Sequence, residues 1–563
     1  MTIQETLEYI HSVCWRGSIP GLSRTQELLR RMGDPHKKLK FVHIAGTNGK
    51  GSTASMLSSV FRTAGYKTGL YTSPYIIKFN ERMQINGEMI PDEELAEITE
   101  QVRPHADTME DRPTEFELVT VIAMEYFARN HCDIVILEVG MGGEFDSTNV
   151  IDCPEAAVIV NIGLDHTGVL GETVEEIAHA KAGIIKGGPV VMYRSSPSVE
   201  AVFAQKCAEV GAELHPADFD SIKLHDQGFW GQRFDCAGRE ALELPLLGEH
   251  QRKNTSVVLA TLDVLKNKGW NITEDHIRRG LKTASWPGRF ELLRKEPVFF
   301  ADGGHNPQCM ESLAENIRSY LPGRGLTALV GVMADKDYMD MFSMVAPYIT
   351  RFVTVTPDNP RALPAADLAQ ALSIFGKPTT VCDSVEEGVR TAIDQTSKEE
   401  AVVAFGSLYM LGTIREEARR NYKKQERYIA LKEKMAKALK QEFWFEACMI
   451  EYAILEDRTS AILFHGGIWE DAFNTRKYSI NKKLKEIMRK IENKHEILSK
   501  KVSLETILMS IEWKEKRNGF VHGACNLYQE DVAKEIALEG KEIVRRICNE
   551  SARVTRYAKK LQK

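Results

Sequence analysis

Apolar positions recur along most of this chain in two alternating rhythms. Runs at 41–45, 68–72, 133–139, 156–162 and 189–193 read as short buried strands. Stretches near 53–64, 92–102, 115–130 and 173–185 carry helical three-and-four spacing, as do Leu7, Ile10, Val13, Leu28, Leu29 and Met32 before them. Strand and helix taking turns predicts a parallel α/β sheet. A second block of the same kind places strands near 298–301, 327–332, 352–356, 379–382 and 401–406. Between the blocks the pattern weakens. The polar stretch 215–240 reads as poor in strands, and Val258, Leu259, Leu262 and Leu265 mark one face of a helix. Trp286-Pro-Gly-Arg289 carries a turn signal and reads as the joint between lobes. Beyond about residue 423 the rhythm is helical alone, at Ile429, Leu431, Met435 and Leu439 and again at Ile487, Ile491, Ile497 and Leu498. Four or five helices in a separate bundle follow from it. The expected domains are 1–286, 287–422 and 423–563.

Composition sharpens the last boundary. Residues 423–563 carry 30 Lys+Arg against 21 Asp+Glu, while the rest of the chain is acidic and the whole has a net charge of −6. All 20 prolines and 35 of the 40 glycines also precede residue 423. A proline-free basic segment behind a punctuated acidic body predicts an all-helical tail. At 563 residues the chain is too long for one core. No apolar run reaches the ~18–20 residues of a membrane span. The first residues lack the basic and apolar regions of a signal peptide. Ten cysteines without a C-x-x-C pair suggest neither zinc nor a disulfide framework. A reduced, cytoplasmic protein is the expectation.

The chemistry concentrates at strand ends. Phe41–Ala45 leads into Gly46-Thr-Asn-Gly-Lys-Gly-Ser-Thr53 and then a helical pattern. Strand, Gly-x-x-Gly-Lys and helix form a nucleotide loop, in which backbone N–H groups and the helix N-terminus face an anion and Lys50 adds a point charge. The spacing departs from GxxxxGK[ST], since Ile stands at 44 and Gly follows Lys50. Glu138 closes the strand 133–139, where a carboxylate can hold Mg²⁺ against phosphates. His166 also sits at a strand's end, where a structural or a site role is equally open. Lys181 by itself reads as a solvated helix lysine. Asp302-Gly-Gly-His305 and Asp335-Lys-Asp337 stand at strand ends of the second block, and two lobes with ligand groups on facing edges suggest a cleft.

Together these motifs resemble the folylpolyglutamate synthase/dihydrofolate synthase group of the Mur-type ATP-dependent amide ligases, over about the first 420 residues. The likeness rests on Gly46–Ser52, Thr72-Ser-Pro74 with Phe79-x-Glu-Arg82, Glu138-Val-Gly-Met-Gly-Gly143 and Asp146-x-Thr-Asn149. It continues through Asn161-Ile-Gly-x-Asp-His166, Lys181-Ala-Gly-Ile-Ile-Lys186, His250-Gln-x-x-Asn254, Pro287-Gly-Arg289 and Asp302-Gly-x-His-Asn-Pro307 to Gly406-Ser-Leu-Tyr409. The resemblance implies a phosphate-loop α/β ATPase domain followed by a smaller Rossmann-like domain. It implies that Gly46, Thr47, Asn48, Gly49, Lys50, Gly51 and Ser52 hold ATP phosphates, and that Ser73, Glu138 and His166 hold Mg²⁺. Lys181 matches a lysine that relatives carbamylate to help hold a second Mg²⁺. Asn254, Arg289, Asp302 and His305 match groups that contact ATP and complete the site, with Lys50, Lys181, His166 and Arg289 the catalytic set. The implied reaction joins L-glutamate to a folate or to dihydropteroate through an acyl phosphate. Two positions depart from the pattern: Ala180 stands where Glu usually precedes the lysine, and Tyr75 where His usually follows Ser-Pro.

The tail lies outside that likeness. Arg517-Asn518 and His522 fit an R-x4-H pattern that resembles the HEPN superfamily of helical ribonucleases and toxins. That implies RNA as a partner of the tail, or a homodimer through it. A Mur-type ligase for another carboxylate, and a protein whose main work is the RNA module, are the competing readings.

Overall fold

The computed structural model describes every residue except 15, 16, 18, 470, 471, 473–477, 524–528, 562 and 563, and every side chain of those described except 420–427 and 559–561. Contacts divide the chain into two compact units, Met1–Arg419 and Arg420–Lys563.

The first unit holds two α/β lobes. In the first lobe the strands are β1 (Phe41–Ala45), β2 (Thr68–Tyr71), β3 (Met83–Ile85), β4 (Glu88–Met89), β5 (Ile134–Glu138), β6 (Ala156–Ile159), β7 (Pro189–Met192) and β8 (Glu213–Pro216). They form one sheet in the order β4-β3-β2-β5-β1-β6-β7-β8. β1 lies between β5 and β6 and runs parallel to both, with Ile44 beside Glu138 and Val158. Buried on both faces, β1 and β5 are apolar almost throughout, as a helix-covered parallel sheet requires. One face packs on the phosphate-loop helix (Lys50–Thr63) and the helix Glu249–Asn267 through Met56, Leu57, Val60, Val258 and Leu262. The other packs on Glu115–Arg129 through Leu118, Val121 and Ile122.

One expectation fails here. The stretch 215–240 is not poor in strands: β9 (Lys223–Gly228), β10 (Gly231–Cys236) and β11 (Arg239–Leu244) make an antiparallel three-stranded sheet. β9 is an exposed edge with almost no inward residues, so its sequence lacks an apolar alternation to detect. Phe234, Cys236, Leu242 and Leu244 carry the sheet's contribution to the core.

The second lobe is a six-stranded sheet of β12 (Glu291–Lys295), β13 (Val298–Ala301), β14 (Leu326–Val330), β15 (Ile349–Thr354), β16 (Thr379–Val381) and β17 (Ala401–Phe405). Its order is β12-β13-β17-β14-β15-β16, parallel except for the antiparallel β12. The helix Pro307–Tyr320 follows β13, capped at its N-terminus by Asn306.

A helix spanning Leu411–Lys440 passes through the boundary between the units. The second unit continues with Trp444–His465, Ile480–Glu492, Leu498–Lys501, Leu504–Gly523 and Glu530–Leu561 around a core that includes Trp513, Leu455, Leu484 and Ile543. No helix among the described residues is long and apolar enough to cross a membrane.

Candidate active site

The C-terminal ends of β1, β5 and β6 meet where an open parallel sheet binds ligands. Beyond β1 the chain turns at Gly49, whose φ of 92° favours glycine, and enters the phosphate-loop helix at Lys50. A Cβ on Gly51 would lie 2.4 Å from the ring of Trp286, so only glycine lets the indole close against the loop. From the other side Gln251 donates to Ser52 Oγ at 3.1 Å, and Asn254 packs against Gly49.

The loop's N–H groups divide in two. Those of Thr47 and Asn48 donate to the Asn161 carbonyl at 2.7 and 3.4 Å. Those of Lys50, Gly51 and Ser52 open the helix, where no intrahelical acceptor exists, so they are the ones placed to meet an anion. Lys50 Nζ curls back to the carbonyls of Gly46 and Thr47 at 3.0 and 3.2 Å. Lys181 Nζ donates to the same Gly46 oxygen at 2.9 Å and is 4% exposed. Two amines converging on one oxygen repel each other when both are charged. Burial, and then Lys50, lower the Lys181 amine to about 7.

Glu138, at the end of β5, accepts from the Ser73 N–H at 3.3 Å. Burial pushes its carboxyl up to about 7, against the opposing pull of Lys50 and Arg289. His166 stands on the rim of the same cavity with φ 52°, its imidazole held below the usual range by partial burial. Ser73, Glu138 and His166 thus offer one hydroxyl, one carboxylate and one imidazole to one space. No group of three or more His, Cys, Asp or Glu among the described residues could hold a metal alone. A cation here would share its shell with phosphate and water, which suits Mg²⁺.

The second lobe supplies the facing wall. Asp302, at the end of β13, accepts from the N–H groups of Phe290 and Gly304 at 2.8 and 2.7 Å. Its carboxylate therefore pins the turn that carries Arg289. His305 Nδ1 lies 3.0 Å from the Gly303 carbonyl, so that nitrogen carries the proton and Nε2 is the basic one. Burial lowers the imidazole below its usual range. These groups line one cavity of about 220 Å³ with Lys50, Glu138, Lys181 and Arg289.

Several residues of this cavity are given no role by the sequence. His250 Nδ1 and Asn316 Nδ2 are buried without a partner, and burial lowers the His250 imidazole to about 4. An unpaired acceptor and an unpaired donor near Asn254 suit the edge of a nucleobase. His250 opens the His-Gln-x-x-Asn motif, which by itself assigns the imidazole no role. Asn316 and Gln308 are isolated polar residues on a helix, and no pattern would single them out.

The tail residues do not converge. Arg517 is buried, stacked 4.3 Å over Tyr452, and donates to Asn518 Oδ1 at 3.1 Å. His522 is exposed on the same helix, about 140° further round at ~100° per residue.

Comparison with known proteins follows the same division. The family described as Mur ligase middle domain matches residues 44–262, and Mur ligase, glutamate ligase domain matches 288–408. The chain is 37% identical over 431 residues to the dihydrofolate synthase/folylpolyglutamate synthase of Bacillus subtilis (strain 168), covering 73% of this chain and 98% of that one. The crystal structure of folylpolyglutamate synthase from Thermotoga maritima matches with a TM-score of 0.65 at 34% identity, over 74% of this chain and 96% of that one. E. coli FolC in complex with DHPP and ADP matches with a TM-score of 0.67 at 29% identity, over 75% and 99%.

Proposed function

We propose that this chain, which belongs to the folylpolyglutamate synthase/dihydrofolate synthase family of Mur-type ligases, is an ATP-dependent ligase joining L-glutamate to a folate or to dihydropteroate. One observation carries the site assignment: Lys50, Lys181, Glu138 and Arg289 converge on a single cavity lined by both lobes.

ATP binds with its phosphates on the N–H groups of Lys50, Gly51 and Ser52 and its base towards His250, Asn254 and Asn316. A carboxylate oxygen of the pteridine substrate attacks the γ-phosphorus, forming a C–O–P bond as the bond to ADP breaks. The glutamate amine then attacks the acyl carbon. A C–N bond forms, phosphate leaves with the C–O electron pair, and the nitrogen loses a proton, for which the basic Nε2 of His305 is the proposed acceptor. Lys50 and Arg289 offset the negative charge that gathers in both steps. Ser73, Glu138 and His166 would hold Mg²⁺, which when bound supplies charge neutralisation at the phosphates. The Lys181 amine, lowered to about 7 by burial, is partly unprotonated at neutral pH and suits carbamylation: its nitrogen adds to CO₂ and loses a proton, leaving a carboxylate that would help hold a second Mg²⁺. The nine described cysteines are all free thiols, which supports a cytoplasmic setting.

The test measures glutamate-dependent ADP release with dihydropteroate and with tetrahydrofolate, beside Lys50→Ala. Turnover with at least one pteridine, lost in the variant, is expected. No turnover with either would overturn the reading and favour another carboxylate. RNA cleavage or self-association through the tail stays a separate proposal, read by RNA degradation and sizing of the intact protein beside Arg517→Ala/His522→Ala.

A further inference from the structure

Asn48 lies inside the phosphate loop, yet its side chain is spent elsewhere. Its Nδ2 donates to Gln308 Oε1 at 2.8 Å and reaches Asn306 Oδ1 at 3.4 Å. Its Oδ1 accepts from Asn306 Nδ2 at 3.0 Å and from the Cys309 thiol at 3.2 Å. All these partners belong to the first turn and cap of the second lobe's helix Pro307–Tyr320. With both ends of the amide engaged and its backbone N–H on Asn161, Asn48 has no group left to offer a phosphate.

Neighbouring contacts repeat the pattern. Gln308 Nε2 donates to the Ile162 carbonyl at 3.3 Å, and a Cβ on Gly163 would fall 2.4 Å from Gln308 Oε1. Asn306 Nδ2 also reaches Asp165 at 3.2 Å, and Lys336 donates to the other oxygen of Asp165 at 2.9 Å. Burial alone would raise the Asp165 carboxyl, but Lys336 and the nearby His166 and His305 hold it well below the usual carboxylate range. Three first-lobe anchors (Asn48, the Ile162 carbonyl and Asp165) therefore grip Asn306, Gln308 and Lys336 of the second.

We infer that Asn48 is a positioning residue rather than a nucleotide ligand. With Gln308 it fixes the Asp302–His305 wall opposite Lys50, so that the acyl phosphate meets the glutamate amine before it meets water. The inference rests on the ligase reading. Its signature is coupling: a misaligned wall leaves acyl-phosphate formation intact but lets water attack the acyl carbon, releasing phosphate and regenerating the original carboxylate, so that ADP appears without product.

The experiment measures ADP released per glutamate incorporated, with the KM for ATP, in the full-length wild type, Asn48→Asp, Gln308→Ala and Gln308→Glu. Asn48→Asp keeps the shape and loses the donor. Gln308→Glu keeps an acceptor for Asn48 and serves as the conservative rescue. The wild-type ratio is expected near one. Asn48→Asp and Gln308→Ala should raise it at least ~3-fold with the KM for ATP within ~2-fold, and Gln308→Glu should recover at least half of the loss. An unchanged ratio in both variants overturns the inference, as does a ~10-fold rise in the KM for ATP, which would make Asn48 a nucleotide contact. Thermal unfolding identifies any variant that fails to fold, and the ratio in the other then decides the matter. A wild type without turnover would instead count against the ligase reading.

Discussion

Two glutamates in this chain are buried to the same degree and mean different things. Glu138 and Glu451 are 4% and 0% exposed, and burial raises both carboxyls, to about 7 and about 9. Around Glu138 stand Lys50 and Arg289, a backbone N–H and a cavity shared with Lys181. Glu451 sits inside the helical unit with neither oxygen hydrogen-bonded, against Gly540, which also faces the Trp513 ring. The groups around the first converge on an open cavity, whereas beside the second Lys541 alone opposes the effect of burial. A perturbed carboxyl marks a site when other groups converge on the same cavity, and marks a packing compromise when they do not.

The sharpest way to break that contrast is Lys50→Ala, expected to lower ATP turnover by roughly 10²–10³-fold, as loss of a charge-stabilising donor does. Retained turnover would remove the cavity's claim to be the site. Next, Glu138→Gln should raise the Mg²⁺ concentration for half-maximal activity at least ~10-fold, whereas Glu451→Gln should leave activity untouched. Gly540→Ala would set a Cβ 2.2 Å from Glu451 Oε2 and should destabilise the helical unit by ~1–3 kcal/mol in chemical denaturation. Glu451→Ala on that background should return part of the loss, since the clash is with that side chain.

The pH effects are smaller and opposite in sense. In the proposed roles Glu138 would have to ionise to hold a cation and Lys181 to shed a proton to react with CO₂, so ligase activity should fall as pH drops below about 7. Glu451 keeps its proton in the folded state up to about 9 but loses it near 4.5 when unfolded. The unfolded state then binds fewer protons, so the helical unit should lose stability as pH rises between those values, and Glu451→Gln should flatten the slope.

The parts of the site that sit on periodic elements are legible in the sequence. Strand, Gly-x-x-Gly-Lys and helix locate the phosphate loop, and Glu138 and His166 fall at the ends of apolar runs. The second lobe's share is harder to see, because Gln308, Lys336 and Asn316 act through contacts far away in sequence. Asn48 reads as a phosphate contact from its place in the loop, yet its side chain faces the other lobe. β9 escapes for a different reason: an exposed edge strand has no buried face to impose an alternation. The tail's helices are plain from their spacing, and five residues on one helix already set Arg517 and His522 about 140° apart; what the fold adds is that Arg517 is buried against Tyr452 while His522 is exposed.

The indole that closes against Gly51 has an optical consequence. Trp286 is one of seven tryptophans, and its ring abuts the backbone that would receive a phosphate. Its emission should therefore respond to loop occupancy, so that nucleotide titrations can be followed in the unlabelled protein by the light of a residue that takes no part in the chemistry.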